Sequence, residues 1–90
     1  MKNRVKLALR ISTDAFDDEL EGLINSALLD LGVAGVKEYE PSTTDELITT
    51  AVITYCKLHF GECENYDRLK ASYDEQKAQL SMCTGYNLEE

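Results

Sequence analysis

Apolar side chains recur at steps of three and four residues along most of the chain, which is the period of an amphipathic α-helix. The clearest case has the apolar positions Phe16, Leu20, Leu23, Ile24, Ala27, Leu28 and Leu31. Ser12 stands where an N-cap is needed, and Gly32 with Val33 follows the last turn as a helix-ending pair does. The pattern therefore predicts a helix from Ala15 to Leu31.

A second long segment, from Asp45 to Phe60, is apolar on more than one side. Thr43 and Glu46 have the spacing of a capping box at its start, and Gly61 follows its end. A helix that is apolar on most sides lies in the middle of a bundle. The stretch between the two helices, Gly35 to Thr44, has no sustained period and is predicted to be an exposed loop.

Two further helices are predicted, a short one over Lys2 to Leu9 and a charged one over Asn65 to Met82 with a thin apolar seam. The predicted fold class is all-α: a small bundle of one short and three longer helices, with an exposed loop between the second and third. Ninety residues make one domain, so we expect a single domain over residues 1–90. Residues 83–90 are expected to form a frayed tail.

Charge is distributed unevenly along the chain. The net charge is −8, but the first ten residues carry four basic side chains and no acidic one. The other eighty residues therefore carry −12, which disfavours tight binding of nucleic acid. This acidity has two interpretations: a solvated surface only, or a field that attracts the basic segment of a neighbouring copy.

The sequence offers little for a metal site or for catalysis. Cys56, His59 and Cys63, with Cys83 further on, have metal-ligand types, but they share a helical face only if the helix continues through Gly61. The odd number of cysteines, without a signal segment, predicts reduced thiols in a cytosolic setting. The acidic run beginning at Asp17 consists of neighbours that point apart, and a single histidine is present. We expect no metal, no cofactor and no enzyme activity.

Two stretches of the sequence carry a family resemblance. The segment VKLALRISTDAFDDEL, from Val5 to Leu20, and the segment INSALLDLGV, from Ile24 to Val33, resemble the N-terminal half of head-tail connector proteins of lambdoid long-tailed phages, often labelled DNA-packaging proteins. YCKLHFG, from Tyr55 to Gly61, and LKASYDEQKAQL, from Leu69 to Leu80, resemble the last helices of that family. The resemblance covers nearly the whole chain apart from residues 36–43, and it depends on the order of the elements.

The resemblance implies a structural role without a reaction. It implies a homo-oligomer, a dodecameric ring that docks under the portal protein of a filled capsid, contacts tail or head-closure proteins and lets double-stranded DNA pass without specific binding. The subunits would lie at the head-tail junction of the virion, in the host cytoplasm before assembly, and away from membranes. The alternative function is a small acidic helical adaptor or regulatory protein that binds one partner protein.

A ring of identical subunits needs two different complementary patches on each subunit. The charge split suggests that the basic segment of one copy meets the acidic start of the second helix in the next. The hypothetical subunit interface consists of Lys2, Arg4, Lys6, Arg10, Asp17, Asp18 and Glu21.

Overall fold

The computed structural model describes residues 1–60, 65–83 and 85–86 and contains four α-helices. They are α1 (Lys2–Leu9), α2 (Asp17–Val33), α3 (Glu46–His59) and α4 (Tyr66–Met82). The predicted all-α fold, with one short and three longer helices, is confirmed.

Helix α3 lies at the centre of the bundle and packs against α1, α2 and α4. Its wide apolar face makes this position possible, because side chains on several sides of one helix can then be buried. The core combines residues of all four helices with one residue of the loop after α2. It consists of Val5, Leu20, Ile24, Ala27, Leu31, Val36, Ile48, Ala51, Val52, Cys56, Leu58, Tyr73 and Leu80.

The start of α2 differs from the prediction. The helix begins at Asp17 instead of Ala15, and Ser12 does not cap it, since the N-cap residue is Phe16. The residues before it form a turn in which the Thr13 hydroxyl oxygen accepts a hydrogen bond from the Ala15 N–H. The three acidic residues of the first turn of α2 still lie at the positive end of the helix dipole.

The end of α2 was predicted two residues too early, at Leu31 instead of Val33. The helix continues through Gly32, and the left-handed residue is Gly35, with a φ of 99°. The Val36 N–H donates to the Leu31 carbonyl at 3.0 Å and the Gly35 N–H donates to the Gly32 carbonyl at 3.1 Å, which is a Schellman motif. This ending places Val36 in the core and leaves Val33 exposed, so the prediction that Val33 folds back on the last turn is wrong.

The start of α3 is capped by a different residue from the one predicted. The Asp45 carboxylate accepts a hydrogen bond from the Ile48 N–H at 3.1 Å, whereas the Thr43 hydroxyl oxygen accepts one from the Asp45 N–H. The predicted capping box of Thr43 and Glu46 is therefore wrong. The predicted helix stop at Gly61 lies outside the described residues.

The chain beyond α4 packs against the loop between α2 and α3. The ring of Tyr86 stacks on Tyr39 with centroids 6.3 Å apart, and its hydroxyl donates to the Asp45 carboxylate at 2.9 Å. The Tyr86 carbonyl also accepts a hydrogen bond from the Lys37 N–H at 2.6 Å. The expected frayed tail over residues 83–90 thus does not describe Tyr86. Over the described ranges, no helix is both long enough and apolar enough to span a membrane.

Candidate subunit interface

Salt bridges within the chain join α1 to the segment before α2 and to its first two turns. The Lys6 ammonium lies 2.8 Å from the Asp14 carboxylate and 3.0 Å from Asp17. The Lys2 ammonium lies 3.4 Å from Asp17 and 3.0 Å from Glu21. Since the later residue of α1 meets the earlier acidic residues, α1 runs antiparallel to α2 and crosses its N-terminal half.

These contacts shift the pKa values in the direction that favours the charged forms. Hydrogen bonds to Asp14 and then to Asp17 raise the pKa of Lys6, and the hydrogen bond from Lys6 lowers the pKa of Asp17. Ion pairs near solvent contribute little individually, so their main effect is to orient α1 on α2. The two lysines are consequently already engaged within one copy.

The remaining residues of the hypothetical interface behave differently from the two lysines. The Arg4 guanidinium contacts both carboxylate oxygens of Glu46 at 2.9 Å. Arg10 follows α1 in the left-handed conformation, with a φ of 60°. Within the described part of the chain, neither Arg10 nor Asp18 has an ion-pair partner. The assignment of Lys2, Arg4, Lys6, Arg10, Asp17, Asp18 and Glu21 to a subunit interface stays a prediction.

A second polar contact, which the sequence analysis missed, joins α2 to α4. The Tyr73 hydroxyl donates to the Asp30 carboxylate at 2.6 Å, and the Lys77 ammonium lies 3.2 Å from the same oxygen. Burial by itself raises the pKa of Asp30, but the hydrogen bonds from Tyr73 and Lys77 outweigh it, so the pKa is lowered. The sequence does show Asp30 as an acidic residue beside the apolar stripe of α2. Nothing in the sequence pattern predicts that its partner is Tyr73, which lies 43 residues further along the chain.

The cysteines and the histidine do not come together as a set among the described residues. Cys56 is fully buried in α3, and burial raises the pKa of its thiol to about 12. His59 lies at the end of α3 beside the Tyr55 ring, with centroids 4.3 Å apart, and Cys83 is exposed beyond α4. Cys63 lies outside the described residues. The described ranges contain no cluster of three or more histidine, cysteine or carboxylate side chains arranged to hold a metal ion.

An apolar groove opens beside the C-terminal half of α2. Leu29 and Val33, four residues apart, are 73% and 88% exposed, and Tyr39 and Pro41 of the following loop face them across the groove. Gly32 contributes no side chain to the groove, and a Cβ atom placed there would have no neighbour within 4 Å. The sequence signal was an apolar pair at helical spacing that lies off the buried stripe. This groove is a surface that could receive a side chain of another protein.

Comparison with known protein families accounts for almost the entire chain. A family model described as phage connector protein matches residues 1–87. Comparisons with curated proteins and with solved structures find no match. The match spans all four helices and the loop between α2 and α3. The chain therefore belongs to the phage connector protein family.

Proposed function

We propose that this protein is a structural subunit of a phage or prophage head-tail connector. Its copies form a ring, dodecameric in the particle, that docks under the portal protein at the head-tail junction. The ring provides a channel for double-stranded DNA and a surface for tail or head-closure proteins. The subunits are in the host cytoplasm before assembly, and no reaction is part of this role.

The observation that carries the proposal is the family match over residues 1–87. The surface of the subunit supports it, because Leu29 and Val33, which line one groove, are each more than 70% exposed on a domain of only 90 residues. Exposed apolar side chains that are grouped on a surface favour contact with other proteins. A connector subunit has such contacts on several sides.

The charges support passage of DNA without specific binding. The chain carries −8, and the lysines of α1 are paired with carboxylates of the same chain. Few basic groups remain to replace the counterions of phosphate, and this replacement is the main source of nonspecific affinity for DNA. We therefore expect DNA to pass along the surface of the subunits without being bound tightly.

The test is a comparison of phage particles assembled with and without this chain. We expect particles that lack it to package DNA, lose it from the head and fail to bind tails. Wild-type protein added in trans should restore both DNA retention and tail attachment. Particles that retain DNA and bind tails equally well without the chain would contradict the proposal, and copurification of the chain with one nonvirion protein would favour the adaptor alternative.

A further inference from the structure

One exposed apolar side chain of the protein lies between two arginines. Leu7 of α1 is 78% exposed, and Arg4 and Arg10 are three residues away on either side. Arg10 has no ion-pair partner among the described residues, and Arg4 contacts only the exposed Glu46 carboxylate there. We name Arg4, Leu7 and Arg10 the Leu7 knob.

The groove beside α2 has the opposite charge. Glu38 and Glu40 line it together with Leu29 and Val33, and neither glutamate has an ion-pair partner among the described residues. Gly32 leaves space on the helix surface between the two apolar side chains. We name Leu29, Gly32, Val33, Glu38 and Glu40 the Val33 groove.

Three of the other large apolar side chains that are exposed, those of Leu47, Met82 and Phe16, do not lie beside an available cation along the chain. Leu47 and Met82 have no basic residue within three or four positions along the chain. Phe16 is already packed edge-on against Phe60, and acidic residues follow it. The Leu7 knob joins an exposed apolar side chain to an arginine that is unpaired among the described residues, which complements an apolar groove edged by two carboxylates.

The two surfaces lie toward opposite ends of α2. The contacts of Lys6 with Asp14 and Asp17 place the C-terminal end of α1 beside the start of α2. The groove flanks the last turns of this 17-residue helix, which is roughly 25 Å long at 1.5 Å per residue. Two different patches at opposite ends of a subunit give head-to-tail contacts, as a ring requires.

We propose that the Leu7 knob of one copy docks in the Val33 groove of a second copy. Leu7 enters between Leu29 and Val33 above Gly32, while Arg10 reaches Glu38 or Glu40 at the edge of the groove. This contact rests on the proposed function, because it is the interface that the ring repeats. In this contact Arg10 meets Glu38 or Glu40 instead of the acidic start of α2, where Asp17 and Glu21 already pair with lysines of α1 in the same copy.

The decisive experiment mixes two variants that each lack one of the two surfaces. Gly32→Gln fills the groove but keeps the knob, and the double variant Leu7→Ser with Arg10→Asn removes the knob but keeps the groove. Asn is chosen at position 10 because it tolerates the left-handed conformation. By native mass spectrometry of the full chain, the wild type should form oligomers. Each variant alone should self-associate at least about tenfold more weakly than the wild type. The equimolar mixture should form a one-to-one heterodimer that does not grow.

Two matched variants control for effects on folding. Gly22→Gln introduces the same side chain into α2 at a position with the same open space, about 10 Å along the helix axis from Leu29. Met82→Asp changes another apolar residue of similar exposure, 75%, outside both surfaces. Both controls should assemble like the wild type, and circular dichroism of every variant should show unchanged helicity.

The outcomes separate this inference from the proposed function. If Gly32→Gln, or the double variant Leu7→Ser with Arg10→Asn, forms the same oligomers as the wild type, the inference is overturned. The connector role would still stand in that case. A mixture that contains only monomers, although both variants are folded, would overturn the head-to-tail pairing. A wild-type chain that stays monomeric in solution and on portal-containing particles would overturn both.

Discussion

The hydrogen bond between Tyr73 and Asp30 should contribute measurably to stability, and Tyr73→Phe removes it alone. The Tyr73 ring is 4% exposed and keeps its packing in the variant, while the bond of 2.6 Å to the carboxylate is lost. Hydrogen bonds to charged groups contribute roughly 1.5–3 kcal/mol. Because the Asp30 side chain is 37% exposed and keeps Lys77 as a partner, water recovers part of this. We expect the free energy of unfolding to fall by about 1–2 kcal/mol.

The effect should depend on pH in a defined direction. Burial raises the pKa of Asp30, but the hydrogen bonds from Tyr73 and Lys77 outweigh it and lower the pKa below its ordinary value of 3.8. A carboxyl group with a lowered folded-state pKa stabilises the protein above its ordinary pKa, and this contribution is lost as the pH falls through the folded-state value. The difference between wild type and Tyr73→Phe should therefore be full at about pH 7 and shrink below about pH 4.

Urea unfolding followed by far-UV circular dichroism measures both quantities. Tyr66→Phe is the matched control, since Tyr66 is 43% exposed at the start of the same helix and has no hydrogen bond from its hydroxyl among the described residues. The control should change stability by less than about 0.5 kcal/mol. A Tyr73→Phe variant as stable as the control, or a difference that grows at low pH, would show that the Tyr73–Asp30 hydrogen bond does not stabilise the fold.

Three further predictions concern the core, the end of α2 and a thiol. Val52→Ala should lower the free energy of unfolding by roughly 1–3 kcal/mol in urea titrations, because Val52 is fully buried, whereas Val33→Ala at an exposed site should stay within about 0.5 kcal/mol. Gly32→Ala should raise the midpoint temperature of thermal unfolding, because it replaces a glycine inside the helix where a Cβ atom has open space. Gly35→Ala should lower this midpoint, because φ is 99° at that position. Equal effects of the two substitutions would contradict the Schellman motif at the end of α2. Burial raises the pKa of Cys56 to about 12, so its thiol should resist alkylation at about pH 8 until the protein unfolds. Peptide mass spectrometry measures this labelling, and rapid labelling of the folded chain would show that Cys56 lies outside the core.

The four helices and their order could be predicted from the sequence, because the side chains that a helix buries recur along the chain at steps of three and four residues. The central position of α3 followed from its wide apolar face, and α1 was predicted with the bounds that the structure has. The end of α2 was less determinate, because the pairs Gly32–Val33 and Gly35–Val36 both have the form of a helix stop. Packing decides between them: only the second pair lets its valine reach the core.

The charged residues show what a single sequence leaves open. The basic segment and the acidic start of α2 are complementary, but complementarity does not tell whether the partners belong to one chain or to two. The antiparallel crossing of α1 over α2 brings Lys6 to Asp17 within the chain, and α1 also inserts Val5 into the core. The same crossing exposes Leu7 on the opposite face of α1, and no pattern of charges in the sequence indicates this exposure.

The most direct test of the connector role is electron microscopy of the purified protein, alone and with portal-containing particles. We expect a ring of identical subunits that occupies the outer face of the portal, coaxial with its channel, in particles that received the protein. Particles without it should lack this density. A protein that leaves the portal bare at saturating concentration, while its fold is intact by circular dichroism, would contradict the connector role.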